Sequence, residues 1–281
     1  MNITMSIDLH CHTRYSDGST PLEEVIALAA LRGVGTLAIT DHDTMAGCET
    51  ALRLGREYGV RIIPGVEISA ADPARGGKAH ILCYAPAHPE RLLPLIDETT
   101  RSRRAAMQAS VEKVMRLYPI SREMILRRAE GSTNIYKQHV LQALMDAGYA
   151  GEMFGEVFRR LYDSKSGAAY VSVQYPTVSE VLEAIRLSGG LAVLAHPSEY
   201  HNMELLKELA KAGRLDGVEI HHPRNTPEDK AAMHEIARRF GLAETGGTDF
   251  HGFYTTRKNP VGTFTTAQTE FDKLFADRKE D

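Results

Sequence analysis

Short apolar segments alternate with segments of helical periodicity along this chain, and that alternation constrains the fold more than any other sequence feature. Seven apolar segments can be counted, among them TLAIT at 36–40 and LAVLA at 191–195. Their apolar residues are continuous rather than alternating, which is typical of parallel strands covered on both faces. Helical segments follow most of them, as at 227–240, which Gly241 ends. The pattern predicts an α/β fold built on seven strands.

Histidine and carboxylate side chains stand at or near the C-terminal ends of these predicted strands. Nine of them are candidate metal ligands: His10, His12, Asp17, His42, Glu67, His80, His196, Asp249 and His251. A closed barrel brings such strand ends to one rim, where barrel enzymes build their active sites. Imidazole and carboxylate groups together suit Zn, Mn or Fe. Nine ligands are too many for one tetrahedral ion, so we expect two or three divalent metal ions and hydrolysis of an anionic ester.

The spacing of the first two histidines supports this interpretation. His10 and His12 alternate on a predicted strand, so their side chains face one way and Cys11 faces the other. One ion can therefore take both imidazoles, whereas Cys11 is interpreted as a small core residue. His80 is the exception among the nine, because it lies near the start of its strand. We therefore expect that strand to run in the opposite direction.

Six segments resemble, in order, the motifs of the PHP (polymerase and histidinol phosphatase) superfamily. They are IDLHCHTRYSDGST, LAITDHDTMAG, IPGVEIS, AHILCY, AVLAHPSEY and GGTDFHG. The resemblance covers roughly residues 1–93 and 168–265, and it is strongest to the small phosphoesterases that act on mononucleotides, nucleotide bisphosphates or RNA ends. It implies a distorted (β/α)7 barrel of the PHP type, in agreement with the seven predicted strands.

The resemblance also implies how the nine ligands divide and how they act. One metal is held by His10, His12, Glu67 and Asp249, and a second by Asp17, His42 and His251. Glu67 bridges to a third metal, which His80 and His196 also hold. A metal-bridging hydroxide then attacks phosphorus in line, so these nine residues act catalytically through the metals and no protein nucleophile is needed.

The middle of the chain breaks the strand–helix alternation. Four helical segments follow one another there, so we expect a barrel domain of residues 1–88 and 168–281 and a small all-α insertion of residues 89–167. From Arg101 to Lys137 there are nine Lys or Arg residues against three Glu, although the whole chain has a net charge of −4. We expect this basic insertion to cap the site and to bind substrate phosphate through Lys137, Arg101 and Arg104.

Residues 131–134, Gly-Ser-Thr-Asn, depart from the apparent relatives, which typically carry Gly-Arg-Pro-His there. An Arg and a His are thus replaced by neutral residues, and the substrate of those relatives does not carry over. Four further side chains are open to two interpretations. Asp41 and Asp43 flank His42, and we expect Asp41 to orient it and Asp43 to cap the next helix. Glu219 and His221 share a strand face, where they support the metal ligands or contact substrate, with core hydrogen bonding as the equal alternative.

The predicted function is a metal-dependent phosphoesterase acting on small phosphate monoesters, nucleotides among them. Alternatives within this class are a histidinol-phosphate phosphatase and a 5′→3′ exonuclease acting on short RNA. The exonuclease ranks lower because the basic stretch offers only Tyr118 and Tyr136 for base stacking. A metallo-amidohydrolase is another alternative, although no Lys stands at a strand end for carboxylation. The non-enzyme alternative is an inactive PHP binding module, against which all nine filled ligand positions argue.

The cysteines, the N-terminal pattern and the hydropathy of the chain indicate a cytoplasmic location and argue against a membrane partner. The three cysteines show no CxxC spacing, and the N-terminus has no secretory signal pattern. No segment approaches 18 consecutive apolar residues, so no membrane partner is expected. We therefore expect a cytoplasmic protein that acts on a small phosphorylated molecule or a short RNA end, with no obligate protein partner.

Overall fold

A computed structural model describes residues 5–256 and 258–276, and its seven strands form one sheet in chain order. The strands are β1 (Ser6–Asp8), β2 (Val34–Ile39), β3 (Arg61–Asp72), β4 (Gly77–Tyr84), β5 (Leu191–Leu194), β6 (Gly217–His221) and β7 (Ala243–Gly246). Neighbouring strands pair in parallel except β4, which runs antiparallel to both β3 and β5. The reversed strand that the position of His80 predicted is therefore confirmed.

The two edge strands of this sheet approach each other without forming a ladder. Leu9 N donates a hydrogen bond to Gly246 O at 3.2 Å, and Cys11 forms an isolated parallel bridge with Phe250. Within residues 5–256 and 258–276, no strand pairing joins β1 to β7. The predicted α/β barrel of seven strands is confirmed in this distorted form, with a seam that backbone pairing closes only partly.

Ten helices accompany the strands in the part of the chain that the structure describes. They are α1 (Leu22–Leu31), α2 (Cys48–Tyr58), α3 (Leu93–Leu117), α4 (Arg122–Arg128), α5 (Lys137–Asp146), α6 (Glu156–Tyr162), α7 (Val178–Ser188), α8 (Met203–Lys211), α9 (Pro227–Phe240) and α10 (Gln268–Leu274). Local signals explain several ends. Thr177 and Glu180 form a capping box at the start of α7, and Gly189 ends it in a left-handed conformation. None of these helices combines the length and apolar character needed to cross a membrane.

The floor of the barrel is apolar and lies on the side away from the histidines. Inward-facing residues of the strands, such as Leu9, Leu82 and Val193, form one buried cluster with Phe271 and Phe275 from the α10 region. Helix α10, which was not predicted from the sequence, packs against β7. Since this floor is filled, the open end of the barrel is the end that carries the polar side chains.

Helices α3 to α6 form most of a second apolar cluster, separate from those of the barrel. It includes Val111, Ile125, Leu141 and Leu161, all fully buried. The first turn of α3 belongs instead to the barrel, because Ile96 packs in the cluster around β3 to β6. Helix α3 therefore connects the barrel to the helical segment, whose predicted limits of 89 and 167 stay a prediction.

Candidate metal centre

Glu67, on β3, lies at the centre of a cluster of histidines at the open end of the barrel. Its side chain is 1% exposed. Five imidazole nitrogens lie within 3.2 Å of its two carboxylate oxygens, and they belong to His10, His12, His42, His80 and His196. A carboxylate surrounded in this way can bridge metal ions through its two oxygens.

The nine predicted ligands come together around this carboxylate. Three overlapping groups, each with its ligand atoms within 4.8 Å of one another, contain eight of them: His10, His12, Glu67 and Asp249; His12, Asp17, His42 and His251; His42, Glu67 and His80. His196 joins through Nε2, which is 2.8 Å from Glu67 Oε1. The first two groups contain two of the ligand sets that the family resemblance implied, with His12 also in the second group. The third group has His42 where the resemblance implied His196.

The strand-end geometry explains this convergence. His10 and His12 follow β1, and their Nε2 atoms lie 3.0 Å apart, as expected for alternate residues of an extended segment. Cys11 points the other way into an apolar cluster and is fully buried. The backbone of His42 forms an isolated bridge with Glu67, which brings the end of β2 beside β3.

Several buried polar atoms of the cluster have no hydrogen-bond partner within the described residues. They are Glu67 Oε2, His12 Nδ1, His42 Nδ1, His196 Nδ1 and His222 Nε2, which lie near other polar atoms of the cluster but not in hydrogen-bond geometry. A buried polar atom without a partner costs about 1–3 kcal/mol, so a cluster of them needs a compensating group. Divalent cations provide that compensation, and the mixed imidazole and carboxylate donors suit Zn, Mn or Fe. The residues present therefore fit a metal centre.

Strong electrostatic coupling accompanies this geometry. Burial alone would lower the pKa of His251, but Asp17 and Asp249 outweigh it and raise that pKa to about 10. Burial would likewise raise the pKa of Asp17, yet His251 and His42 hold it well below its usual range. His42 differs, because burial lowers its pKa to about 3. Protons therefore occupy part of this cluster at neutral pH, and a bound cation would compete with them.

The two aspartates beside His42 do not act as the sequence suggested. Asp41 accepts hydrogen bonds from Thr13 N at 2.8 Å, Thr13 Oγ1 at 2.7 Å and Ser16 Oγ at 2.5 Å, so it braces the turn before Asp17 rather than orienting His42. The predicted helix cap at Asp43 is also wrong. Helix α2 begins only at Cys48, after Gly47.

Asp43 instead connects the metal centre to the helical segment. Its backbone is left-handed, with φ of 51°, which turns the carboxylate back toward β3. There it accepts hydrogen bonds from Ser69 N and Ser69 Oγ, both at 2.9 Å, and pairs with Arg103 of α3. This ion pair is almost completely buried, since the Asp43 side chain is 1% exposed.

A cavity of about 450 Å³ opens above the cluster, and the helical segment forms much of its wall. Lys137 lines it. Its Nζ lies 5.3 Å from the ring centroids of both Tyr162 and Tyr170. Burial, then the neighbouring cations Lys78 and Arg103, lower the pKa of Lys137 to about 8.

Three of the predicted substrate contacts do not reach this cavity. Arg101 and Arg104 are exposed on α3, and Arg103 lines the cavity in their place. The helical stripe that contains Met107 and Val111 could have identified Arg103, since it lies one turn earlier on the same face. His221 is also absent from the cavity wall and packs beside His234, with 5.8 Å between the ring centroids.

A register shift in β6 explains the error at His221. The pairing of β6 with β7 is irregular between Glu219 and His221, so the two residues do not share a face. Glu219 is fully buried beside the histidines, and His222 takes the inward position, with its Nε2 atom 3.4 Å from Asp249 Oδ2. His222 was not predicted from the sequence, because a regular strand would turn it outward.

The helical segment also contacts the metal centre directly. Tyr136 Oη donates a hydrogen bond to His42 O at 3.0 Å, and Gln138 Nε2 donates to Asp17 Oδ2 at 2.7 Å. Both residues stand at the start of α5. No sequence signal indicated these contacts, since they join segments more than ninety residues apart.

Comparison with known proteins gives consistent matches over most of the chain. A family model described as the PHP domain matches residues 8–188. A phosphoribosyl 1,2-cyclic phosphate 1,2-diphosphodiesterase from Eggerthella lenta is 38% identical over 251 residues, covering 87% of this chain and 94% of that protein. A 3′,5′-nucleoside bisphosphate phosphatase from Chromobacterium violaceum is 32% identical, covering 88% of this chain and 87% of that protein.

A solved structure shares the fold over nearly its whole length. It is a candidate metal-dependent phosphoesterase from Bifidobacterium adolescentis, with a TM-score of 0.87 and 28% identity. The alignment covers 99% of this chain and 98% of that one. The helical segment as well as the barrel therefore has a counterpart in that protein.

Proposed function

The chain belongs to the PHP domain family and is a metal-dependent phosphoric ester hydrolase, and we propose that it hydrolyses a small phosphate monoester at a centre of two or three divalent ions. The proposed ligands are His10, His12, Asp17, His42, Glu67, His80, His196, Asp249 and His251. The observation that carries the proposal is the position of Glu67, whose two oxygens are surrounded by five imidazoles.

Divalent ions held by these ligands would supply Lewis-acid activation of the phosphoryl group and of a water molecule. In the proposed reaction, no side chain of the protein acts as the nucleophile. Cys11 is fully buried on the opposite side of its segment, and burial raises the pKa of its thiol well above the usual range. The side chains around the cavity would therefore bind and orient the substrate.

Cationic side chains on the cavity wall, Arg224 among them, support an anionic substrate. Lys78, Arg103 and Lys137 line the same cavity. Arg103 pairs with Asp43, whereas neither lysine forms an ion pair within residues 5–256 and 258–276. Burial lowers the pKa of both lysines, which means that the protein holds their charges at a cost. A phosphate group, or a second anionic group of the same substrate, would offset that cost.

Aromatic rings beside these cations favour a substrate with a sugar or base. Tyr136 and Tyr175 lie on the Arg103 guanidinium, at 4.9 and 5.6 Å from their ring centroids, and Tyr170 lies beside Lys137. All three tyrosines line the cavity. We propose a phosphorylated sugar or nucleotide as the substrate, which is also the kind of molecule that the names of the two relatives describe.

The helical segment of residues 89–167 is proposed to act as a cap whose residues hold the metal loops and the substrate. Its departure from the apparent relatives at residues 131–134 has a structural use. Ser132 Oγ donates to Ser16 O at 2.6 Å, and Thr133 Oγ1 donates to Tyr15 O at 3.1 Å. These hydroxyls brace the turn that carries Asp17, and Lys137 is left as the cation of α5 that faces the substrate.

Substitution of the proposed ligands tests this function. We expect His12→Ala and Asp249→Ala to abolish hydrolysis of phosphate monoesters while the circular dichroism spectrum is retained, since both residues lie on the open end of the barrel. His88→Ala is the matched control, because its side chain is 60% exposed and lies outside the cavity. Folded variants that keep their turnover would disprove the proposed role of the centre.

A further inference from the structure

We propose that Glu219 and His222 are positioning residues that determine which atoms of His10 and Asp249 face the metal centre. Neither residue is among the nine proposed ligands. The inference rests on the proposed function, because it concerns two of those ligands. It assigns to β6 the role of orienting a ligand from β1 and a ligand that follows β7.

Glu219 determines the proton position on His10. Its Oε1 atom lies 2.9 Å from His10 Nδ1, and its Oε2 atom accepts a hydrogen bond from His196 N at 3.0 Å. An ionised carboxylate only accepts hydrogen bonds, so Nδ1 of His10 must carry the proton. His10 Nε2 then keeps its lone pair and faces Glu67 Oε2 at 3.2 Å. This is the carboxylate–histidine arrangement that orients metal-binding imidazoles.

Both ends of Glu219 are held in place. The side chain is fully buried, and Asn225 Nδ2 donates to the Glu219 carbonyl oxygen at 2.8 Å. The carboxylate cannot rotate without giving up its bond to either His10 or His196. The direction of the His10 ring is therefore set by the backbone of β6 rather than by His10 itself.

His222 acts in the same way on Asp249. Its Nδ1 atom accepts a hydrogen bond from Arg224 N at 3.2 Å, which places the ring proton on Nε2. The Nε2 atom lies 3.4 Å from Asp249 Oδ2, an ion-pair distance that falls short of a hydrogen bond in this conformation. The other oxygen, Asp249 Oδ1, faces His12 Nε2 at 3.1 Å and is left for a cation. Without this donor, either oxygen of Asp249 could turn toward the centre.

A competing role for His222 is metal ligation. Atoms of His10, Glu219 and His222 also lie within 4.8 Å of one another. A cation among them would need the Nδ1 lone pair of His10 and would break the bond from that atom to Glu219. The two roles predict different effects of substituting His222. Loss of a metal ligand reduces the number of bound ions by one, whereas loss of a positioning contact lowers the affinity for metal and leaves the number of bound ions unchanged.

Manganese binding to metal-stripped, folded protein distinguishes these roles. The variants are Glu219→Gln, His222→Asn and His222→Gln, with His221→Asn as the control because His221 lies outside the cavity. Competition against a chelating dye gives the affinity for Mn²⁺ and the number of ions bound. Circular dichroism of each stripped variant checks the fold.

We expect Glu219→Gln and His222→Asn to weaken Mn²⁺ binding by about 10- to 100-fold with the same number of ions. In Glu219→Gln, the new side-chain amide would place a donor against either His10 or His196 N. In His222→Asn, the new side chain is too short to reach Asp249. His222→Gln should stay within a few-fold of wild type, because its amide nitrogen takes the place of Nε2. His221→Asn should bind as wild type does.

Unchanged affinity in Glu219→Gln and His222→Asn would overturn the inference. So would the loss of one bound ion in His222→Asn that His222→Gln does not restore, because that result makes His222 a ligand. A wild-type protein that binds no Mn²⁺ would overturn the proposed function as well. The failure of the inference alone is thus distinguishable from the failure of the proposed centre.

Discussion

Substitution of Lys137 by Met tests the proposed anion contact most specifically. Met keeps the length and apolar stem that pack among Tyr162, Tyr170 and Phe158, but it removes the charge. The fall of the Lys137 pKa from 10.5 to about 8 means that burial beside Lys78 and Arg103 costs the protonated amine about 3 kcal/mol. A substrate anion beside Nζ would recover much of that free energy on binding.

The expected effect on binding follows from this value. A hydrogen bond from a charged group contributes about 1.5–3 kcal/mol, which corresponds to roughly a 10- to 150-fold rise in KM for Lys137→Met. In the wild type, Lys137 is protonated below about pH 8 and loses its charge as the pH rises through that value. KM should therefore increase above pH 8 in the wild type, and Lys137→Met should lack this increase.

Steady-state hydrolysis of a nucleoside monophosphate or another ester that the wild type cleaves, measured from pH 6 to 9, provides the assay. Lys113→Met is the control, since Lys113 is an exposed lysine of the same helical segment that lies outside the cavity. Bound metal should be equal in all three proteins. A KM that stays at the wild-type value across this pH range would refute the assignment of Lys137 to the substrate.

Two further predictions concern the contacts between the helical segment and the barrel. Arg103→Met should lower the free energy of unfolding by about 3–5 kcal/mol, because it leaves the Asp43 carboxylate buried without its partner. Urea denaturation measures this free energy, and a decrease of less than about 1 kcal/mol would contradict the prediction. Tyr136→Phe should cost about 1–3 kcal/mol in the same assay, because the His42 carbonyl loses its donor. An unfolding curve superimposable on that of the wild type would exclude a contribution from this bond.

The sequence predicted the strands and the convergence of the nine side chains because both follow from local rules. Continuous apolar segments indicate covered strands, and strand ends of a barrel meet at one rim. Even the reversal of β4 followed from the position of His80 within its segment. Neither the strands nor the convergence of these side chains depends on which helices pack against which strands.

The remaining features depend on contacts between distant segments. Because of the register shift in β6, His222 rather than His221 faces the histidine cluster. No residue pattern in Gly217–His221 indicates that irregularity. The helical stripe of α3 indicates the inward position of Arg103 but not its partner, Asp43, which is sixty residues away in the chain. Asp43 has a residue type that favours a helix cap, but its left-handed backbone directs the side chain elsewhere. Such features follow from packing, which a single sequence does not display.

The most direct test of the proposed centre is to measure metal content and phosphatase rate on the same samples. Elemental analysis should find two or three divalent ions per chain in the active wild type. Stripping those ions with a chelator should abolish hydrolysis, and Mn²⁺ should restore it in proportion to the ions rebound. Full hydrolysis by a sample verified to be free of metal would contradict the assignment of Glu67 and its surrounding histidines as the catalytic centre.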